Sequence, residues 1–449
     1  MTLQTYPEYK TTGLDWASYI PISWEVVPVK HVCTFSTGWT PPSGNAEHYA
    51  GDNLWANISD VGPRILDDTA KRLSDKAVAL HGMSPSPVGS LLFSFKLSIG
   101  QVSFVGSEMY TNEAIATFLP SAKIDLSFAY YAFPQMIPQN ASENIYGAKM
   151  LNQQLIQSAK LVLPPLAEQA AVAAFLDCET AKIDALMKEQ RQMVELLREK
   201  RQAVISRVVM KGLDPNVPMK PSGVEWLGEV PEHWEVSQLR HVARKGTSIT
   251  YGIVQAGPDT DGGIPYIRTS DMAGDKLSSD GYLRTSLEID AAYARSKVTA
   301  GDVVIAIRAT IGKPLIVPPF LEGANLTQGT AKFSPDASVL AEFICHFLRS
   351  SQAIGQFERL AKGATFKEIT LEMLRKFQIL RPPVEEQRRL IDFLASKVAE
   401  LDRLILEAEN AIALLQERRN ALIGAAVTGE IDVRGVVEAE ARVPEVVAA

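Results

Sequence analysis

The chain has 449 residues, of which 46% are hydrophobic, and a formal net charge of −7 at pH 7. That length exceeds one ordinary core and predicts two or three globular domains, while the apolar fraction excludes a disordered chain. The acidic balance argues against a protein that coats nucleic acid unaided, so DNA binding would need local basic patches, a basic partner, or both.

Residues Met1 to Ser18 are polar and lack the basic-then-apolar pattern of a signal peptide. No apolar run approaches the length of a membrane helix, so no membrane association is expected. Cys33, Cys178 and Cys345 are far apart and odd in number, which indicates neither a disulfide framework nor a zinc knuckle. A reducing cytoplasm is the expected location.

The first recognisable stretch, WEVVPVKHV from Trp24 to Val32, returns as WEVSQLRHV from Trp234 to Val242. At this offset of 210, Lys10, Gly13, Trp16, Pro21, Trp24, Glu25, Val26, His31 and Val32 all meet identical residues. Both copies read as entry strands whose Trp and Val build a core, with His31 and His241 as strand residues rather than bases. Further on, Trp55-Ala-Asn-Ile-Ser-Asp60 aligns with Tyr266-Ile-Arg-Thr-Ser-Asp271. Gly89 through Gly100 aligns with Gly301 through Gly312, each a turn, a short apolar strand and a second turn. The offset then settles at 218, where Pro164-Pro-Leu-Ala-Glu-Gln169 matches Pro382-Pro-Val-Glu-Glu-Gln387 and Val209 through Asp214 matches Val427 through Asp432. A period above 200 residues is a domain-scale duplication.

Each Pro-Pro pair predicts a helix start, with Glu168 and Glu386 near the positive end of the helix dipole. Downstream, Ile183, Met187, Gln190, Val194, Leu197, Arg201, Val204 and Val208 recur at alternating spacings of four and three. The second copy gives Leu401, Ile405, Ala408, Ile412, Leu415, Arg419, Leu422 and Ala426. A 3.5-residue repeat held this long is a coiled-coil seam, and the two seams pair most simply antiparallel. Two separate amphipathic helices, each packed on its own globular segment, are the alternative. Arg201 and Arg419 are either polar residues that set the register or cations that snorkel. The fold class expected is α+β: two globular mixed α/β segments with twisted β-sheets, separated by two long antiparallel coiled-coil helices, in a pseudo-twofold internal repeat.

The search for a catalytic set is almost empty. Val317-Pro-Pro-Phe320 has the shape of an amino-methyltransferase motif but lacks the Asn or Asp that must accept from the amine. Gly312-Lys313 lacks the earlier glycine of a phosphate loop. The six histidines are scattered, with no His-Glu-x-x-His. Glu8 to Lys10 has no upstream Pro-Asp to make a nuclease site.

Three sets of residues together resemble one family. They are Ser222-Gly-Val-Glu-Trp-Leu-Gly-Glu-Val-Pro-Glu-His-Trp-Glu-Val236, the two Pro-Pro-x-x-Glu-Gln helix starts, and the helix ends Val209-Met-Lys-Gly-Leu-Asp214 and Val427-Thr-Gly-Glu-Ile-Asp432. The chain is similar, over nearly its whole length, to the DNA specificity subunits of type I restriction–modification systems. The resemblance implies target recognition domains at residues 1–163 and 213–381, spacer helices at 164–212 and 382–433, and a loose tail at 434–449. It implies that each recognition domain reads one half of an asymmetric, split double-stranded DNA target, and that the helices fix the unread gap. It further implies two methyltransferase subunits using S-adenosylmethionine, and ATP-driven restriction subunits. The chain itself would bind no cofactor and no metal and would catalyse nothing. A coiled-coil scaffold that never reads DNA is the competing class.

On this resemblance, candidate DNA contacts in the second recognition domain are Lys245, Thr247, Tyr251, Arg268, Thr269, Arg308, Thr310, Lys313, Thr365 and Lys367. Arginine addresses guanine bidentately, while lysine and threonine more often hold phosphates. In the first domain the candidates are Trp39, Asn45, Asn57, Ser59, Lys96 and Ser98. Arg268 has a second explanation, pairing with Asp271.

Overall fold

The computed structural model describes residues 4–42, 44–80, 82–143, 147–361 and 368–435. The chain divides into two compact units, Met1–Glu189 with Ala411–Ala449, and Gln190–Asn410. Each unit is therefore a globular body with the leading half of one long helix and the trailing half of the other, not a domain followed by its own helix.

In the first unit, a five-stranded sheet runs in the order Phe35–Thr37, Ile115–Phe118, Leu91–Ser94, Val102–Val105, Ile65–Leu66. All neighbours are antiparallel except the last pair. Leu91-Leu-Phe-Ser94 is buried at every position because the sheet is covered on both faces. Successive side chains alternate between the faces. Leu91 and Phe93 join Phe118 and Phe133 of the Leu126–Met136 helix in the main core. Leu92 and Ile115 pack with Ala56 and Met109 beneath a three-stranded sheet formed by Tyr110–Thr111, Asn53–Ala56 and Lys71–Leu73.

The second unit repeats this plan. Its four-stranded antiparallel sheet runs Thr250–Tyr251, Thr330–Phe333, Val303–Ala306, Pro314–Ile316. Val303 and Ile305 face the main core, and Val304 and Ala306 face a smaller one under the strands Arg284–Thr285, Ile264–Ile267 and Asn325–Leu326. The three-stranded sheet of each unit has one parallel pair, made by its last strand in the chain on its first: Tyr110–Thr111 on Asn53–Ala56 and Asn325–Leu326 on Ile264–Ile267.

The nine-residue echo has a definite place. Its strands, Glu25–Pro28 and Glu235–Gln238, pair antiparallel with Lys160–Leu163 and Gln378–Arg381, the strands that feed the long helices. Residues 11–30 and 221–240 carry the same degree of burial at every position. His31 and His241 correct the strand expectation: they lie exposed in 3-10 turns, Val29–His31 and Leu239–Val242, because fully buried Val29 and Leu239 pull the chain into the core and end the ladder. Trp24 and Trp234 are fully buried. Each packs on the glycine that stops a long helix, Trp24 on Gly429 and Trp234 on Gly212, with φ of 77° and 75°. A left-handed residue just past the last turn is the usual helix stop, and glycine takes it without strain.

The long helices are Leu166–Lys211 and Val384–Thr428, each beginning directly after a Pro-Pro pair. In the first unit their halves cross-link where the Arg419 guanidinium forks onto Asp184 at 2.9 and 3.2 Å. In the second unit Arg201 lies 2.7 Å from Asp402, and Arg198 lies 2.8 Å from Glu409. Both pairings are antiparallel. Every seam position named above is buried or half-buried, and Arg201 and Arg419 sit in ion pairs across the seam. The same helices also enter the globular cores, through Val172, Leu176 and Ala426 in the first unit and Ile205, Val208 and Leu390 in the second.

What joins helix to globular body is the last residue of the Pro-Pro-x-x-Glu-Gln motif. Gln169 is 1% exposed; its Nε2 donates to the Pro164 carbonyl at 2.8 Å and its Oε1 accepts from the Asp125 amide at 2.8 Å. Gln387 is fully buried and repeats this with the Pro382 carbonyl and the Leu340 amide, both at 2.8 Å. Asp125 and Leu340 are the N-caps of the helices Leu126–Met136 and Ala341–Leu348. The preceding glutamates differ: Glu168 accepts from the Tyr6 hydroxyl, and Glu386 pairs with His233 at 2.7 Å. Arg434, expected to open a loose tail, is instead held by Asp432 at 2.6 Å and lies over the Tyr6 ring at 4.9 Å. Residues 436–449 lie outside the described residues.

Replacing Gln169 or Gln387 by Leu strands a buried amide N–H and a carbonyl, at about 1–3 kcal/mol for each group left without a partner. Denaturant unfolding of either variant is expected to show a loss of roughly 2–4 kcal/mol, whereas Gln190→Leu, on the helix seam, leaves stability within about 0.5 kcal/mol.

Candidate nucleic-acid interface

The best-defined exposed feature of each unit is the turn that follows its central strand. In the second unit the Ala306 amide donates to the Lys313 carbonyl at 2.9 Å, and the Gly312 amide donates to the Ala306 carbonyl at 2.8 Å. In the first unit Ser94 to Gln101 and Gly100 to Ser94 make the same bonds at 2.8 and 2.9 Å. Lys96 and Ser98 thus occupy the places of Arg308 and Thr310, and all four are exposed.

Around this turn the second unit gathers several of the candidates. Arg308 Nε donates to Glu368 at 2.8 Å, both side chains being about half exposed, and the Ile369 amide donates to the Ile307 carbonyl. An ion pair so exposed contributes little, about 0–1 kcal/mol, so a phosphate or a guanine edge competes with it readily. Lys313 donates to the Ala273 carbonyl, just beyond the turn that carries Arg268 and Thr269. Thr269 reaches toward Gly329, whose carbonyl accepts from the Ile307 amide. Tyr251 is half-buried beside Gly252. Thr365 and Lys367 lie outside the described residues.

Two other placements differ. Lys245 and Thr247 sit at the opposite end of the same sheet, since Arg244 pairs with buried Asp302, which precedes Val303, whereas Arg308 follows Ala306. Six extended residues separate the two ends by about 20 Å. Thr247 donates to the Arg244 carbonyl at 2.7 Å. Arg268 is occupied: its Nε and Nη2 bind Asp271 at 3.1 and 2.7 Å, which holds its guanidinium more firmly protonated than usual. Asp271 also accepts from the Arg268 amide at 2.8 Å, as Asp60 does from the Asn57 amide at 2.9 Å. This shared cap is why Ser-Asp recurs in both copies.

In the first unit Asn57 turns inward on its own loop, accepting from the amide and hydroxyl of Ser59 at 2.8 and 2.6 Å. Lys96 lies 4.0 Å from Glu113, which also accepts from the Thr40 hydroxyl; that bond holds the Glu113 carboxyl below its usual range. Trp39 is half-buried, its amide on the Thr111 carbonyl at 2.9 Å and its carbonyl accepting from Trp55 Nε1 at 3.1 Å. Asn57, Lys96 and Trp39 therefore converge at one end of the unit. Asn45 lies apart, capping the 3-10 turn Ala46–Tyr49.

Glu113 and Gln328 were not among the candidates. They hold equivalent places, because Asn112 and Thr327 donate to the Ala56 and Ile267 carbonyls, and Ala114 and Gly329 accept from the Phe95 and Ile307 amides. Gly38 and Gly252 correspond as well: a Cβ there would sit 1.7 Å from the Thr111 carbonyl oxygen and 1.9 Å from that of Leu326. A weak signal existed in Ala116-Thr-Phe118 and Ala331-Lys-Phe333, spaced 215 apart.

The turn of the second unit also walls a groove of about 830 Å³, with Arg201, Lys276, Arg349 and His346 on other sides. Burial first, then the neighbouring Arg349 and Arg201 charges, push His346 down to about 4, so it is neutral near pH 7. In the first unit a groove of about 500 Å³ lies beside Arg419. There Arg64 lies 4.9 Å from the centre of the Tyr130 ring and donates to the Tyr131 hydroxyl at 3.1 Å and to Asp177 at 2.8 Å. Among the described residues no cluster of side chains could hold a metal ion, and no helix is long and apolar enough to cross a membrane.

The family described as the type I restriction modification DNA specificity domain matches residues 21–196 and 231–412. Over 315 residues the chain is 27% identical to the type I restriction enzyme EcoBI specificity subunit of Escherichia coli, spanning 69% of this chain and 66% of that subunit. It is 22% identical to the EcoKI specificity subunit of Escherichia coli strain K12, over 92% of this chain and 90% of that one. In fold it resembles a chain from a structural study of complex assembly and conformational transition in the type I R-M system. The TM-score is 0.69 at 16% identity, covering 92% of this chain and 99% of that one. The two matching segments cover most of the chain, which therefore belongs to the type I restriction–modification DNA specificity family.

Proposed function

We propose that this chain reads a bipartite, asymmetric DNA target, one half-site per unit, with the unread gap set by the two long helices. The observation that carries this reading is the pairing of a repeated frame with unrepeated exposed side chains. Turns closed by the same hydrogen bonds present Lys96 and Ser98 in one unit and Arg308 and Thr310 in the other. Glu113 faces Gln328 in the same comparison. One frame with two side-chain sets is what reading two different base sequences requires, since base edges in the major groove are distinguished by their donors, acceptors and methyl groups. Two moderate half-site contacts on one rigid spacer gain affinity through effective concentration when the DNA spacing matches.

On this reading the chain addresses other subunits and catalyses nothing itself. Two methyltransferase subunits would bring S-adenosylmethionine and flip the target adenine, and restriction subunits would bring ATP. Exposed apolar side chains on the long helices support a partner present twice. Leu414 is 66% exposed in the first unit, and Leu196, 218 positions earlier, is 65% exposed in the second. Leu186, 47% exposed in the first unit, matches Leu404, which is half-buried in the second. Partners of this kind would also supply phosphate-binding charge that a chain of net charge −7 lacks.

Sequencing modified adenines in the host with and without this gene is expected to give one gene-dependent bipartite motif with an unread gap; no such motif would sink the reading. A second experiment addresses the gap. Inserting four residues, one helical turn, after Leu197 adds about 6 Å of helix, or one to two base-pair steps of about 3.4 Å. The preferred gap is expected to lengthen accordingly, and an unchanged gap rules out the spacer role.

A further inference from the structure

Leu97 and Ala309 are, among the described residues, the two non-glycine residues in the left-handed region, each with a φ of 58°. They stand at the same place, the tip of the turn after the central strand, in two units whose sequences have diverged there. Neither L-residue takes this conformation readily, whereas glycine takes it freely. A side chain has nevertheless been kept at both tips.

The surroundings offer no reason among the described residues. Leu97 is 92% exposed, the highest exposure among the large apolar side chains of the described residues, and Ala309 is exposed as well. The base of each turn is anchored instead by its glycine: Gly100 lies against Pro134, and a Cβ on Gly312 would strike the Phe357 ring. The tip thus projects from a fixed base. It is flanked by a cation and a hydroxyl in both copies, Lys96 and Ser98 in one and Arg308 and Thr310 in the other. Strained tips of this kind mark sites where a side chain is used.

We infer that Leu97 and Ala309 are base-reading residues, each seated on the C5-methyl of a thymine in the major groove of its own half-site. The inference rests on the DNA reading proposed above. An aliphatic side chain neither donates nor accepts a hydrogen bond, so the thymine methyl is the group on a major-groove edge that it recognises. The flanking cation and hydroxyl address the adjoining base edges, with the tip seated between them. Leucine reaches further than alanine from the same backbone, so the two half-sites differ in which base-pair step carries the recognised thymine.

The test uses the full chain assembled with its methyltransferase subunits and a duplex bearing its motif. Each dT in the two half-sites is replaced in turn by dU, which removes only the methyl. The wild-type complex is expected to lose roughly fourfold in affinity at one position of each half-site, the worth of one buried methyl. Leu97→Ala and Leu97→Gly are expected to bind the dT duplex more weakly and to ignore dU at the first half-site's position, with the second half-site unchanged. Ala309→Gly should do the converse. Leu97→Gly is also expected to raise the thermal midpoint by relieving the tip. Wild-type indifference to every dU, or Leu97 variants that remain as sensitive as wild type, would overturn the inference while leaving the bipartite reading intact. A wild-type complex that selects no bipartite motif would instead remove the reading on which it rests.

Discussion

The amide of one glutamine, used at both ends, is the interaction on which the rest of each unit depends. A long helix starting at a Pro-Pro pair has no inherent direction relative to the sheet that precedes it. Gln169 and Gln387 remove that freedom by binding the carbonyl before their own helix and the capped amide of the core helix beneath. Both are buried, so a lost bond is not replaced by water, and the geometry is enforced by the cost of leaving it. Direction fixed at the start lets the helix halves meet antiparallel, with Arg419 on Asp184 in one unit and Arg201 on Asp402 in the other. Those ion pairs are partly exposed and contribute modestly by themselves. They are consistent with a direction already set elsewhere.

A second division of labour runs through each globular body. The apolar runs Leu91-Leu-Phe and Val303-Val-Ile-Ala306 are buried on both faces and carry the frame. The turns they feed carry exposed side chains on glycine-anchored bases. A frame made this way tolerates change at its tips, because tip side chains touch little of the core. Exposed side chains at the tips therefore differ between units without disturbing the sheet.

What was legible in the sequence was whatever proline, glycine and tryptophan punctuate. The Pro-Pro helix starts, the bounding glycines of the central strand and turn, and the 3.5-residue seam are local patterns, and periodicity or conformational restriction expresses them directly. Contacts between distant positions were hidden. Gln169 and Gln387 lie in a visible motif, but their partners Asp125 and Leu340 are 44 and 47 residues away with no shared pattern. The pairing of Arg268 with Asp271, three residues on, was by contrast one of the two readings the sequence allowed, and the structure takes it. Lys245 and Arg308 looked like one set until the strand between them placed them at opposite ends. The 3-10 turns at His31 and His241 follow from the burial of Val29 and Leu239, a tertiary demand that overrides strand propensity.

The held position of Arg434 has a consequence for the junction between hairpin and helix. In the second unit the polypeptide runs covalently from the stop glycine Gly212 into the hairpin of Met219–Pro221 and Glu229–Pro231. In the first unit the same junction has no peptide bond. Asp432 donates its amide to the Gln4 carbonyl at 2.7 Å, and Arg434 folds over Tyr6. A few hydrogen bonds and one ring contact thus do at one junction what a covalent linker does at the other. Side-chain and amide contacts are thus sufficient to hold the hairpin against the helix stop where no linker ties them together.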